Sequence, residues 1–267
     1  MASSSVTGRV ALITGSVSSE GIGYGIAKVL ARKGHSIILH GRREMAEVEP
    51  LREHLEKEYQ VKAHYLCANL LKRSEIEDMC EKIKTMYPGG VDVLVNNAGT
   101  SCPRYADEFS PEKWDEVIAV NLTAPFDLTR LLLGDMKKKG WGRIINISSV
   151  RSKRASDSNV PYTASKHGLN GLTKSTAISG YGTGVTCNAI CPALVDTKLP
   201  RGLFQLSADR LGISFDEAKK LKLADGNPSG EFVTAEQIGE LAAFLCTPAA
   251  DQITGAELPI DAGLWAK

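Results

Sequence analysis

Tyr162 and Lys166 stand four residues apart in "YTASKHG", a spacing that puts both side chains on one face of a helix. A phenol and an ammonium so placed can move a proton, provided that something makes the phenol acidic enough. Free tyrosine titrates near pH ~10 and is a poor base at neutrality, and a nearby positive charge favours its ionised form. The pair alone is unspecific, because the same spacing occurs on ordinary helix surfaces. A second feature narrows it. The glycine-rich segment "TGSVSSEGIGYG", Thr14 to Gly25, follows the apolar run "RVALI". Gly15 suits a sharp turn, Gly21 a close approach of backbone to phosphate, and Gly23 tight packing of a helix on a sheet. N–H groups at the start of that helix would face an anion. A third segment, "VDVLVNNAG", ends in Asn96, Asn97, Ala98 and Gly99, small or polar groups able to border a bound nucleotide without blocking it. The three together predict a dinucleotide beside an acid/base pair.

Such a constellation needs a rigid support, and the pattern of the chain supplies one. Short apolar runs predict strands over Val10–Ile13, Ser36–His40, Ala63–Cys67, Val91–Val95, Arg143–Ser148, Val185–Ile190 and Glu257–Ile260. Between them lie segments with apolar residues recurring at three and four, among them "GIAKVLARKG", "EKWDEVIAVNLTAPFDLTRLLLGDMKKKG" and "TAEQIGELAAFLC", which predict helices. This alternation predicts an α/β fold, a doubly wound parallel sheet of seven strands with helices on both faces. Pro259 cannot donate to a ladder, so the last strand belongs at a sheet edge. From Leu194 to Phe232 the alternation lapses into short helical pieces with no strand. An insertion of that length beyond a strand's carboxyl end predicts a substrate lid.

Composition fits one large domain spanning residues 1–267: 43% of the residues are hydrophobic and 24% charged, with a formal net charge of +1. That balance gives no global field toward nucleic acid or a membrane surface. No uninterrupted apolar run reaches the roughly 20 residues of a bilayer span, and "MASSSVTG" resembles neither a signal peptide nor a transit helix. A cytoplasmic protein is therefore expected. Six cysteines in a chain of this length are no disulfide framework, and Cys187 and Cys191 are spaced too widely for a CxxC redox or zinc pair. No metal site is expected.

"VALITGS", "NNAG", "NLTAPF", "GRIINISSV", "YTASKHGLNGLTK", "CNAICP" and "IDAG" together resemble the short-chain dehydrogenase/reductase family over nearly the whole chain. Within it, "GWGRIINISSV", "TCNAICP" and "EFVTAEQIGELAAFLC" are most similar to the D-3-hydroxybutyrate dehydrogenases. The resemblance implies a Rossmann fold, an NAD(P)(H) cofactor, a small-molecule substrate and a homotetramer. It assigns catalysis to Asn121, Ser149, Tyr162 and Lys166: Tyr162 as acid/base, Ser149 binding the substrate oxygen, Asn121 positioning a water that relays protons to Lys166. Along the cofactor it places Gly15, Gly21, Ile22, Gly23, Asn69, Leu70, Asn97, Ala98, Gly99, Pro192, Val195 and Thr197, besides Tyr162 and Lys166. The family's usual loop is TGxxxGxG, whereas here two extra residues separate Thr14-Gly15 from Gly21-x-Gly23. "SVSSE" is expected to bulge outward with its serine hydroxyls near the phosphates.

After the second strand the chain reads "HGRRE": Gly41 stands where NAD enzymes commonly carry an acid, followed by Arg42 and Arg43. Arginine there suits a 2'-phosphate, a slight lean toward NADP(H). The hydroxybutyrate dehydrogenases, usually NAD-dependent, also lack that acid and pull the other way. Where those enzymes hold substrate with Gln, His, Lys and Trp, alignment by motif gives Ser101, Arg151, Asn159 and Leu194. Arg151 could bind a carboxylate bidentately, with Lys153 and Arg154 adding positive potential, although a basic loop is as often merely solvated. The expected activity is interconversion of a secondary alcohol and a ketone, with a small 3-hydroxy acid such as 3-hydroxybutyrate leading. Alternatives are a 3-oxoacyl thioester reductase, another carbonyl reductase, and a non-catalytic nucleotide sensor or scaffold.

Overall fold

The computed structural model describes residues 8–266; the reading of the leader at residues 1–7, and Lys267, lie outside the described residues. Seven parallel strands form one sheet in the order β3-β2-β1-β4-β5-β6-β7: β1 Val10–Ile13, β2 Ser36–Gly41, β3 Ala63–Cys67, β4 Val93–Asn96, β5 Gly142–Ile147, β6 Val185–Pro192 and β7 Glu257–Ile260. The helices between them are α1 Ile22–Arg32, α2 Met45–Tyr59, α3 Arg73–Met86, α4 Pro111–Ile118, α5 Ala124–Lys139, α6 Val160–Ser179, α7 Arg201–Leu211, α8 Phe215–Gly226 and α9 Ala235–Leu245. Strand positions agree with expectation to within one or two residues. β7 is an edge, and Pro259 sits opposite Cys191 in its ladder.

Alternation along each strand divides the core in two. In β1, Ala11 and Ile13 join one apolar cluster, with Val29, Leu30 and Ile238, while Val10 and Leu12 join the other, with Leu128, Leu132 and Met136. Side chains of period two thus feed both helical layers, and burying each Leu or Ile contributes about 1.5–3 kcal/mol. On one face α9 crosses α1 closely because Gly25 and Gly239 carry no side chain: a Cβ on Gly239 would come within 2.7 Å of Val29 Cγ2.

The segment expected as one long helix is continuous from Pro111 to Lys139 but widens into a π turn at Ala119–Thr123. With an 18-residue stretch of mean hydropathy 1.3, it is the one helix among the described residues long and apolar enough to cross a membrane. In the sequence Asn121, Asp127 and Arg130 interrupt it. In the fold, Leu128, Leu132 and Met136 pack on the sheet and buried Asp127 pairs with Arg73 at 3.0 Å. Four of the six cysteines are buried and none of the six is in a disulfide.

Strand order reverses between β1 and β4, so the loops after their carboxyl ends part and leave a crevice. The insertion between β6 and α9 forms α7 and α8 over that crevice.

Candidate active site

A cleft of about 1140 Å³ opens at this switch point. Its floor is the turn after β1. Gly15 has φ +64°, a left-handed conformation natural to glycine, and a Cβ there would lie 2.8 Å from Ala98 Cα. Thr14 closes the junction with β4: its Oγ1 accepts the N–H groups of Asn97 and Ala98, each at 3.0 Å. Asn97 Nδ2 returns bonds to the carbonyls of Thr14 and Gly15 at 2.8 and 3.1 Å. A Cβ on Gly23 would stand 2.5 Å from that same Nδ2, so α1 starts against the end of β4 only because residue 23 is glycine.

The lengthened loop takes another path than expected. Ser16 is fully buried and turns inward, its hydroxyl donating to Ile13 O at 2.8 Å and accepting the His40 N–H at 3.1 Å. Val17 and Ser18 line the cleft, while Ser19 and Glu20 face solvent. Ser18 alone of the three serines borders the cleft, because Ser16 is committed to joining β1 with β2.

Most of the expected cofactor positions converge on the cleft: Gly15, Gly21, Ile22, Arg42, Asn69, Leu70, Asn97, Ala98, Gly99, Pro192, Val195 and Thr197. Gly23 lies behind the turn, and Asn96 faces into the sheet, where its Nδ2 donates to Asn146 Oδ1 at 2.8 Å. Asn146 in turn donates to Thr173 Oγ1 at 2.8 Å, a buried link from β4 through β5 to α6. His40 was missed. A histidine in an otherwise apolar strand was its signal, and its ring accepts the Gly15 N–H through Nδ1 at 3.2 Å and meets Ala68 O through Nε2 at 3.1 Å. Burial holds it down to about 4, so the ring is neutral and Nε2 is the donor.

Ser149, Tyr162 and Lys166 line the same cleft. Ser149 follows β5 and its side chain favours the ionised form of Tyr162; its Oγ accepts the Arg151 N–H at 3.1 Å. Lys166 is buried, donates to Ile147 O at 2.7 Å and lies 5.5 Å from the Tyr162 ring centroid. Burial pulls its pKa down to about 8. The phenol is pushed up by burial, and the groups that draw it back are Ser149 and the Arg151 charge. Lys166, expected to supply positive charge beside the phenol, stands next to the Tyr162 ring with its ammonium hydrogen-bonded to a backbone carbonyl.

Asn121 does not reach the cleft wall. Its Oδ1 accepts Thr100 N–H at 2.8 Å, and its Nδ2 donates to Thr100 O at 3.0 Å and Ser165 Oγ at 3.1 Å. Both amide hydrogens are thereby used, so a water beside Lys166 would need the backbone of the π turn, a deviation frequent at functional sites.

On the substrate side, Ser101, Arg151, Asn159 and Leu194 all line the cleft. Asn159 donates to Ser101 Oγ at 2.8 Å. Arg151 Nη1 donates to Ala155 O at 2.7 Å; burial lowers its pKa and Asp225 opposes that. Lys153 and Arg154 turn away, Lys153 toward Glu257 at 3.4 Å and Arg154 to Leu264 O at 3.1 Å. The additional cations on the cleft are instead Lys198 and Lys222, unseen in the sequence because the insertion gave no register.

This geometry offers a proton donor and acceptor, a hydroxyl beside it and a dinucleotide-sized groove. A profile of the family described as short chain dehydrogenase matches residues 9–206. The chain is 42% identical to D-beta-hydroxybutyrate dehydrogenase of Cupriavidus necator, covering 97% of this chain and 98% of that protein. It is 39% identical to the enzyme of the same name from Rhizobium meliloti, over 97% and 99%. Among solved structures it resembles a single-substitution variant of actinorhodin polyketide ketoreductase with NADPH, with TM-score 0.89 and 34% identity over 96% of this chain and 97% of that one. The chain belongs to the short-chain dehydrogenase family of NAD(P)-dependent oxidoreductases.

Proposed function

We propose that this protein interconverts a small 3-hydroxy acid, 3-hydroxybutyrate first among them, and its 3-keto acid. The observation that carries the reading is that Ser149, Tyr162 and Lys166 line one cleft together with Arg151. Relatives named for hydroxybutyrate support it. The glycine turn against Ala98 fits a dinucleotide, since nothing larger than hydrogen is accommodated where backbone must approach phosphate. Gly15, Gly21, Ile22, Asn69, Leu70, Asn97, Ala98, Gly99, Pro192, Val195 and Thr197 would hold it, with Gly23 packing the helix behind. Arg42 and Arg43 at the end of β2 lean the choice toward NADP(H).

When bound, the cofactor accepts or supplies the hydride. Tyr162 removes the proton of the substrate hydroxyl in oxidation and returns it in reduction. Ser149 holds the substrate oxygen against Tyr162, which fixes the reacting carbon. Lys166 supplies positive charge at the base of the cleft and donors for ribose hydroxyls. Asn121 ties the Thr100 loop to α6 and so keeps Tyr162 and Lys166 in place. Arg151 takes the carboxylate, with Ser101, Asn159 and Leu194 shaping the far wall. Residues 194–232 act as a lid on one domain of residues 1–267. A cytoplasmic homotetramer fits the family and the position of β7 at the sheet edge.

A cleft of about 1140 Å³ favours one second reading, reduction of a 3-oxoacyl thioester. Turnover of hydroxy acids, keto acids and 3-oxoacyl thioesters with NAD(H) and NADP(H), read by nicotinamide absorbance, separates the two. Tyr162→Phe should lower kcat at least about 10²-fold while the nucleotide still binds. Wild-type protein inactive on every pair would end the oxidoreductase reading of this site.

A further inference from the structure

Ser16 and His40 fasten the loop after β1 to the end of β2. The Ser16 N–H donates to His40 O at 2.9 Å and the His40 N–H donates to Ser16 Oγ at 3.1 Å. Both residues are buried, and the Gly15–His40 and His40–Ala68 bonds hold the imidazole between the loops after β1 and β3. With residues 16 and 40 locked, the next residue of each strand end meets the other. A Cβ on Gly41 would overlap Val17 Cγ2 and lie 3.0 Å from Cγ1 and 3.3 Å from Cβ. Valine is stiff about χ1, so its methyl groups cannot simply swing aside.

Position 41 is where a carboxylate commonly reads the ribose hydroxyls of NAD. We propose that Val17 is a specificity-determining residue: it bars any side chain from position 41 and leaves the adenosine ribose to Arg42. This rests on the dinucleotide reading of the cleft. The lengthened glycine loop and the missing acid are then one feature, because the loop that carries Val17 across β2 is the loop with two residues more than TGxxxGxG. Val17, Gly41, Arg42 and Arg43 line the same end of the cleft.

The test is a double-substitution cycle read by calorimetric titration of NAD+ and NADP+ into wild type, Val17→Gly, Gly41→Asp and Val17→Gly/Gly41→Asp. Gly41→Asp alone should weaken both nucleotides about tenfold or more, because the carboxylate forces Val17 and the loop out of place. In the double variant NAD+ binding should return, and the ratio of the two dissociation constants should move toward NAD+ by about thirtyfold relative to Val17→Gly. If Gly41→Asp alone improves NAD+ as much as the double variant, Val17 excludes nothing. Should the aspartate variants fail to fold, thermal melting of nucleotide-free Gly41→Ala against Val17→Gly/Gly41→Ala decides: the wedge requires Val17→Gly to restore part of the lost melting temperature, and additive effects refute it. Wild type that binds neither nucleotide overturns the dinucleotide reading as well; wild-type binding with additive substitutions overturns only the role of Val17.

Discussion

The Lys166 ammonium donates to the Ile147 carbonyl at 2.7 Å and stands 5.5 Å from the centroid of the Tyr162 ring. It is therefore held by the end of β5 rather than by the phenol. Burial pushes the Tyr162 phenol up, and Ser149 and Arg151 draw it back toward ionisation. Tyr162 is thus coupled to an arginine that lines the same cleft.

Lys166 should make folding depend on pH in a particular direction. Burial holds it at about 8 against an ordinary 10.5, so between those values the unfolded chain binds more protons than the folded one. Stability from this residue therefore rises with pH across that window, and its penalty is complete below about pH 8. At neutrality the penalty is on the order of 3 kcal/mol. Urea unfolding of wild type and Lys166→Met from pH 7 to about pH 10 should show the wild type gaining on the variant as pH increases. Parallel curves would mean that the ammonium is not penalised by its surroundings.

Arg151→Ala should separate two effects of one charge. Losing a carboxylate partner should raise KM for hydroxy acids about tenfold or more while leaving neutral esters nearly unchanged. Losing a charge that lowers the Tyr162 pKa should also move the tyrosine limb of the pH–rate profile upward, for acids and esters alike. Unaltered KM for acids would place the carboxylate elsewhere, with Lys198 or Lys222 next to be changed.

Arg42 lines the cleft and is exposed. Arg42→Ala should weaken NADP+ about tenfold and NAD+ less than about threefold, since only the former carries a 2'-phosphate for the guanidinium. Titration of each nucleotide measures this directly. Equal losses would show that Arg42 reads something common to both.

What could be read in the sequence was what local chemistry fixes. β1 and the Gly15 turn, the end of β4, and the Tyr162–Lys166 spacing all rest on periodicity or on glycine, and the fold keeps them. What escaped depends on which loops the topology brings together. His40 and Asn146 were visible as polar residues in apolar strands, but their partners at Gly15, Ala68 and Thr173 are remote in the chain. The inward turn of Ser16 likewise depends on His40, and so the serines of "SVSSE" could not be sorted by type alone. Lys153 and Arg154 turn away because Glu257 and Leu264 lie behind them, a fact of the β7 edge.

Asn227, also unread, pins the base of the 194–232 segment. Fully buried, it accepts the Leu194 N–H at 2.9 Å and donates to Leu194 O at 3.0 Å and Glu231 O at 2.7 Å. Beside it, Val233 N–H reaches Leu194 O at 2.9 Å, so both ends of the insertion meet at one point and α7 and α8 hang from it. Asn227→Ala strands buried backbone groups, at a cost of about 1–3 kcal/mol. If the segment is a lid, that loss should appear as faster amide exchange confined to residues 194–232 and as a higher KM for substrate, with nucleotide affinity little changed. Asn227→Asp keeps an acceptor for Leu194 N–H but sets a buried carboxylate against the Leu194 and Glu231 carbonyl oxygens, so near neutral pH it should cost at least as much as alanine. Exchange that accelerates evenly through the sheet would instead make Asn227 a general support of the fold, and the insertion would have no separate motion for substrate to use.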